Sequence, residues 1–100
     1  FSIQGFVDLF LSEAPKTLAE AYSALDQADL EALHRHVHTL KGSAREIGAT
    51  RLGLAAQTLE ARLKVGDISN CRQSLAELEE ILGHVAEALA TMVSGDNEKG

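Results

Sequence analysis

One hundred residues, 45% of them hydrophobic, allow one domain with one core but are few for a nucleotide-binding catalytic fold. One proline and an abundance of Ala, Leu and Glu favour an all-helical chain. The net charge of −6 argues against nucleic acid as the main partner, the lone Cys71 excludes an intramolecular disulfide, and no apolar run reaches the roughly 20 residues of a membrane span.

The apolar periodicity predicts two helices in the first half of the chain. Residues 2–27 carry the first apolar side, and Pro15 interrupts it, which predicts two consecutive helices or one helix bent near residues 12–15. Asp29 is the expected N-cap of a second helix over about 30–47, which should end at Gly48. The apolar positions are Phe6, Leu9, Phe10, Leu18, Ala21, Tyr22 and Leu25 in the first helix, and Leu30, Leu33, Val37, Leu40, Ala44 and Ile47 in the second.

Two further helices are expected over about 51–65 and about 70–93. Their predicted caps and ends are Thr50, Gly66 with Asp67, and Ser69. The last helix has a heptad pattern formed by Cys71, Leu75, Leu78, Leu82, Val85, Leu89 and Met92. A partner coiled coil could use that pattern, but packing within the chain's own bundle is the more economical interpretation.

Short connections make neighbouring helices antiparallel. The predicted fold is therefore an all-α, up-and-down four-helix bundle over residues 1–93. Residues 94–100 are polar, and we expect them to form a frayed tail.

Beside its apolar positions, the second helix carries two imidazoles, two cations and a glycine: His34, His38, Lys41, Arg45 and Gly42. A mid-helix glycine costs about 1 kcal/mol relative to alanine, and nothing in local folding requires Gly42. Lys41 and Gly42 follow His38 by three and four residues, so both are its neighbours on the helix surface. Gly42 would leave the His38 ring open to another protein, with the Lys41 ammonium within reach of a group bound to the ring.

This combination suits a histidine that accepts a phosphoryl group. Neutral imidazole is populated near pH 7 and is nucleophilic, and a lysine can neutralise negative charge during transfer and on the product. A surface histidine and a solvated lysine without a role are the competing interpretation, which leaves Gly42 unexplained.

The pattern His-x-x-Lys-Gly-x-x-x-x-x-Gly, formed by His38, Lys41, Gly42 and Gly48, resembles the signature of histidine-containing phosphotransfer (HPt) domains of bacterial phosphorelays. The similarity extends to Leu-Phe-Leu-Ser-Glu-Ala-Pro at 9–15, Ala-Thr-Arg-Leu at 49–52 and Leu-Glu at 59–60, so it covers most of the chain. Family members often start with a short extra helix, whereas this chain begins at Phe1. The missing initiator Met suggests a domain excised from a longer protein or a processed chain. By the resemblance, the longer protein could be a hybrid sensor histidine kinase that ends in this domain.

The resemblance implies roles for residues of the third helix. Glu60 lies where family members usually carry Gln or Glu near the phosphoacceptor, so its carboxylate could accept from Nδ1–H of His38 and leave Nε2 free to attack. Gln57, about one turn earlier, is the alternative orienting group, and Lys64 matches a position where some members carry a second cation. A surface Glu60–Lys64 pair, worth only about 0.3–0.5 kcal/mol, is the competing interpretation.

The charge is unevenly distributed. Residues 34–64 carry six basic and two acidic side chains, a balance of +4 that leaves −10 for the rest of the chain. Ordinary surface scatter is one interpretation, and a positive patch for an acidic partner is the one that we favour. We predict that the docking face includes His34, Gly42, Arg45 and Lys64.

A metal site is the third interpretation of the histidines. His34 and His38 have the i, i+4 spacing of zinc-binding helices, but no Glu follows His34 in the protease pattern and Cys71 is distant in sequence. We therefore predict no metal and no cofactor bound by this chain, and His36 is expected to point elsewhere.

The function implied by the resemblance is a phosphorelay intermediate. His38 would accept a phosphoryl group from the aspartyl phosphate of a response-regulator receiver domain, with Mg²⁺ held by the receiver, and pass it to another receiver aspartate. No glycine-rich nucleotide loop is present, so we expect a covalent carrier without ATP-dependent kinase activity of its own. The expected protein is a monomer that contacts neither nucleic acid nor membrane, in the cytoplasm or in the cytoplasmic portion of a membrane-bound sensor kinase. The alternative is a non-catalytic helical-bundle interaction module.

Overall fold

The computed structural model describes the backbone of residues 2–99 and the side chains of residues 2–92. Its four helices are α1 (Ile3–Asp26), α2 (Leu30–Ile47), α3 (Thr50–Lys64) and α4 (Cys71–Lys99). Helix α1 packs against α2 and α4, and α3 packs against the same two helices, so α2 and α4 lie diagonally. The short dimensions, 19 and 18 Å, are those of a bundle two helices wide in each direction. The predicted four-helix bundle is confirmed.

Pro15 lies inside one long helix rather than between two. Ser2 caps α1 by accepting a hydrogen bond from the Gly5 N–H at 3.0 Å. Proline lacks the N–H that would bond the carbonyl of Leu11, so α1 tolerates the loss of one backbone bond instead of breaking. Of the two predicted alternatives, the split helix is wrong.

The ends of α2 follow local signals in the sequence. Asp29 Oδ1 accepts from the Ala32 N–H at 3.1 Å, as predicted for an N-cap. Gly48 adopts the left-handed conformation, with φ of 80°, and its N–H bonds back to carbonyls of the last helical turn. Only Gly48 and Ala49 connect α2 to α3, which fixes the relative position of the two helices closely.

Two predicted caps are wrong. Thr50 is the first residue of α3 rather than its cap, because the short connection places Ala49 at the cap position. Ser69 does not cap α4, because its N–H and its hydroxyl both donate to Asp67 Oδ1, at 3.1 and 2.5 Å. Both errors come from loop geometry that the helical pattern does not encode.

Helix α4 continues to Lys99, six residues beyond the predicted end at 93. No proline follows residue 93 to remove a backbone donor, and Gly95 makes a helix less favourable without preventing it. Residues 94–99 of the predicted frayed tail therefore have helical backbone, and Gly100 lies outside the described residues.

The core is aliphatic, with Leu33, Leu40, Leu52 and Leu75 among its fully buried side chains. Leu9 and Met92, predicted on apolar faces, are instead about half exposed, at 54% and 49%. Glu60 is the one charged side chain buried among the described residues, and it lies on the face of α3 that meets α2. Within residues 2–99, no helix has the length and apolar character needed to cross a membrane.

Candidate functional site

The site forms where α2 and α3 pack side by side. Nδ1 of His38 lies 2.5 Å from Oε2 of Glu60, and Nζ of Lys41 lies 2.5 Å from the other carboxylate oxygen, Oε1. Burial differs sharply among the three side chains: His38 is 62% exposed, Lys41 16% and Glu60 4%. An exposed imidazole is thus anchored on one edge by a buried carboxylate, and a half-buried ammonium holds that carboxylate from the other side.

Glu60 is ionised in this arrangement. The hydrogen bond from Lys41, together with the weaker one from His38, lowers the pKa of Glu60 from its ordinary value of 4.5 to about 2, although burial acts in the opposite direction. An ionised carboxylate has acceptor capacity only. Nδ1 of a neutral His38 must therefore carry the hydrogen, and Nε2 holds the free lone pair.

Gly42 has open space where a side chain would begin. A Cβ built there would meet no heavy atom within 4 Å, whereas a Cβ at Gly53 on α3 would contact Arg45 Cγ at 3.5 Å and Ala44 Cβ at 3.8 Å. Internal packing therefore does not require glycine at 42, and the surface beside His38 is left uncovered.

The other predicted site residues are divided between the site and its surroundings. Gln57, the alternative orienting group, accepts a hydrogen bond from Arg45 Nη2 instead of contacting the imidazole. Lys64 is exposed and makes no hydrogen bond or ion pair with any described residue, so the Glu60–Lys64 pair is absent from that part of the chain. Glu60 has Lys41 as its cation instead.

The other two histidines of α2, His34 and His36, point towards different helices. Nε2 of His34 lies 3.6 Å from Oε2 of Glu60, and its ring stacks on that of His38 with centroids 6.4 Å apart. His36 points away as predicted, with Nε2 3.8 Å from Oε2 of Glu20 on α1. Within the part of the chain that the structure describes, no three His, Cys, Asp or Glu side chains are arranged to hold a metal ion.

Sequence reasoning missed two of these contacts. It did not pair Lys41 with Glu60, and it did not associate His34 with Glu60. A signal existed for both, because residues 34, 38 and 41 share one side of α2 and a single acidic residue on the facing helix can meet all of them.

The site thus lies on the surface of a four-helix bundle and centres on an exposed imidazole that a buried carboxylate holds in place. The Hpt domain family model matches residues 5–88, and the chain belongs to that family.

Two relatives are similar to this chain. A histidine-containing phosphotransfer protein 1 from Arabidopsis thaliana is 28% identical over 88 residues, which are 86% of this chain but 57% of the relative, so the chain spans little more than half the length of this curated protein. The crystal structure of a histidine-containing phosphotransfer protein from maize superposes with a TM-score of 0.90 and 22% identity, covering 98% of this chain and 72% of that one. The maize structure shows the shared fold.

Proposed function

We propose that this domain is a phosphorelay intermediate that accepts a phosphoryl group on Nε2 of His38 and passes it on. The observation that carries the proposal is the exposed His38 ring, held through Nδ1 by the ionised, buried Glu60. Membership of the Hpt domain family supports the same role. The donor and acceptor are aspartates of response-regulator receiver domains, the partners expected of this family.

The transfer balances with the groups at hand. The Nε2 lone pair of His38 attacks the phosphorus of the receiver's aspartyl phosphate, the bond from phosphorus to the aspartyl oxygen breaks, and the carboxylate leaves with the electron pair. The product ring keeps its Nδ1 proton and becomes cationic, and the adjacent Glu60 carboxylate stabilises that charge. The return step reverses these changes, so the same geometry serves both receiving and donating.

Lys41 has a role through Glu60 that its sequence position did not suggest. By donating to Oε1, the ammonium keeps Glu60 too weakly basic to remove the Nδ1 proton of the product. The phosphorylated ring then stays protonated, which makes it a better leaving group towards the next aspartate. The predicted contact of Lys41 with phosphoryl oxygens is a further part of the proposal.

The docking partner is an acidic receiver pocket that holds Mg²⁺, so the metal belongs to the partner and this chain needs no cofactor. Arg45 and Lys64 are exposed cations that suit such a pocket, and the clearance at Gly42 lets it approach His38.

The test is transfer of radioactive label from a phosphorylated receiver. The wild-type domain should acquire acid-labile, alkali-stable label, and His38→Gln should acquire none while keeping its helical circular dichroism. His36→Gln is the matched control, because His36 lies on the same helix but faces Glu20. A stable complex with the receiver but no label would favour the non-catalytic interaction module, and label retained in His38→Gln would overturn the assignment of the acceptor.

A further inference from the structure

His34 is the member of the site that the proposed mechanism leaves unused. Its Nε2 is shielded from solvent and has no hydrogen-bond partner among the described residues, although the side chain as a whole is 35% exposed. The nearest acceptor is Oε2 of Glu60 at 3.6 Å, beyond the range of an ordinary hydrogen bond. A shielded nitrogen without a hydrogen-bond partner is unfavourable, and a proton on Nε2 directed at Oε2 would reduce that cost.

The His34 and His38 rings therefore both lie near the same carboxylate oxygen of Glu60. Oε2 of Glu60 is the atom that Nδ1 of His38 contacts at 2.5 Å, and His34 approaches the same atom from one helical turn earlier. The second carboxylate oxygen, Oε1, accepts from Lys41, and Oε2 is the oxygen that His34 approaches.

We propose that His34 is a positioning residue for the phosphoacceptor: it shares the Glu60 carboxylate with His38, so that phosphoryl acceptance depends on the protonation of two rings rather than one. This inference rests on the proposed function of His38 and adds a residue and a pH response to it.

Protonation of His34 acts on His38 in two ways. A cationic His34 is a strong donor 3.6 Å from Oε2, and it draws that oxygen from Nδ1 of His38 and loosens the hold on the ring. The transfer step also makes the His38 ring cationic, and a second cationic ring with its centroid 6.4 Å away opposes this charge. Transfer should therefore slow when either ring gains a proton.

The charged groups around His34 do not prevent His34 and His38 from competing for the Glu60 carboxylate. On α3, Glu60 faces His34 directly, and Lys64 follows Glu60 by one turn and disfavours a second cation nearby. On α2, His38 follows His34 by one turn and Glu31 precedes it by three residues. Since Lys41 keeps Glu60 ionised far below the range in which imidazoles titrate, the carboxylate itself does not take up the proton.

Helix α1, the other neighbour of α2, carries four acidic residues (Asp8, Glu13, Glu20 and Asp26), and none of them pairs with His34 within the described part of the chain. Glu20 pairs with His36, on a different side of α2 from His34. His36 thus provides a matched control, since it is a half-buried histidine with its own carboxylate partner but no contact with Glu60.

The experiment compares the wild-type domain with His34→Phe, which keeps a ring and removes the titratable nitrogens, and with His36→Phe. Single-turnover transfer is measured at saturating phosphorylated receiver from pH 8 to pH 5.5, and each variant's rate is divided by the wild-type rate at the same pH, so that the receiver's own pH dependence cancels. The His34→Phe ratio should rise severalfold as the pH falls, and the His36→Phe ratio should stay constant. A constant ratio for His34→Phe would overturn the proposal.

Nuclear magnetic resonance gives a second readout that needs no transfer. In the wild-type domain the ring ¹⁵N signals of His38 should change in two steps with pH, because both rings lie at the same Glu60 oxygen, and in His34→Phe they should change in one. Identical single steps in both proteins would refute the coupling. A wild-type domain that took label from no receiver would refute the proposed function, while this titration would still decide whether His34 and His38 are coupled.

Discussion

Glu60 is a charge placed in an aliphatic core, and its stability depends on its two closest partners. An unpaired buried carboxylate costs several kcal/mol, whereas here one oxygen accepts from Lys41 and the other from His38. The pairing that makes the carboxylate tolerable also defines which ring nitrogen of His38 is free. Structural and chemical requirements are thus met by the same two hydrogen bonds.

Replacing Glu60 with Gln tests the orienting role. The resemblance allows Gln at this position, but here Lys41 donates to one oxygen of the side chain. The single amide oxygen of Gln would therefore face Lys41, and its N–H would face Nδ1 of His38, so the ring would no longer be held in the tautomer with Nε2 free. We expect label acceptance from a receiver to slow at least about tenfold, with helical content retained. Glu77→Gln on α4 is the control and should transfer at the wild-type rate; equal rates for both variants would contradict the role of Glu60.

The lowered pKa of Glu60 also predicts how stability depends on pH. A carboxyl whose pKa is lower in the folded state stabilises the fold above its unfolded pKa, and that contribution is lost as the pH falls through the folded value. The contribution should be complete above about pH 4.5 and largely gone near pH 2, with a size of about 3 kcal/mol at most.

Urea unfolding of the wild-type domain and Glu60→Gln at several pH values measures this contribution. All other carboxyl groups are common to both proteins, so their contributions largely cancel in the difference. The gap in unfolding free energy should narrow from pH 6 to pH 3. A difference in unfolding free energy that did not change with pH would mean that Lys41 and His38 do not lower the pKa of Glu60.

At the scale of a helix, Gly42 and Gly48 make a matched pair within and at the end of α2. Gly42→Ala should raise the free energy of unfolding by up to about 1 kcal/mol, because its Cβ meets open space in a helix interior. Gly48→Ala should lower it by about 1–2 kcal/mol, because φ of 80° is unfavourable for alanine. Denaturant titrations of both variants check the opposite signs.

The same position tests clearance for the partner. Gly42→Gln adds a long side chain one turn after His38 and should slow transfer from a receiver while leaving the fold intact. Transfer kinetics of Gly42→Ala and Gly42→Gln, measured side by side, separate the size of the side chain from the loss of glycine itself. Unchanged transfer with Gln at position 42 would exclude the clearance argument.

How far the sequence predicted these elements depended on whether the signal was local. Asp29 and Gly48 mark the ends of α2 by their own chemistry, so both were predicted, and the order of four antiparallel helices followed from apolar periodicity. The caps at Thr50 and Ser69 depended on how two connections fold, which no periodicity describes.

One contact of the site was expected from the sequence, and two were not. Glu60 was expected beside His38 from the family pattern, with a surface Glu60–Lys64 pair as the competing interpretation, whereas the contacts of Glu60 with Lys41 and His34 were not predicted. Burial explains why Glu60 pairs with Lys41, because Glu60 points into the α2–α3 interface and meets Lys41 there, while Lys64 stays exposed. Such a choice between a local and a distant partner depends on the side-by-side position of two helices.

At the scale of the whole molecule, the site and the positively charged stretch of the chain lie on the same part of the bundle. The α2–α3 pair carries the site, whereas α4 lies diagonally from α2 and is joined to α1 by Arg72 with Asp26 and by Tyr22 with Glu79. The stretch 34–64 has a balance of +4 in a chain of net charge −6. The cations should therefore guide an acidic receiver to one side of an otherwise acidic protein.

The dependence of the rate on salt concentration distinguishes residues that act on receiver association from residues that act on the transfer step. Arg45→Glu should slow receiver association severalfold at low salt, and the difference should shrink as salt screens charges over about 10 Å at 0.1 M. Lys41→Ala should show a defect that persists at high salt and appears in the transfer step, because Lys41 acts at close range on Glu60. Arg72→Glu on α4 makes the same charge change on the opposite side and should leave association nearly unchanged.

Rapid-quench kinetics at two salt concentrations distinguish the three variants. Identical salt responses for Arg45→Glu and Lys41→Ala would contradict the division. An effect of Arg72→Glu as large as that of Arg45→Glu would mean that net charge, rather than the side of the bundle, governs the encounter.

The connection of two residues between α2 and α3 has a consequence for how the chain can change in length. Each residue added within α3 ahead of Glu60 turns the following side chains by about 100° around the helix axis and advances them about 1.5 Å. One insertion after Ala55 would therefore rotate Glu60 out of the interface and away from His38, whereas an insertion after Gly66 falls beyond the site. The spacing of 22 residues between His38 and Glu60 is therefore fixed by the rotation of the helix, whereas a change of chain length beyond residue 64 leaves it unaltered.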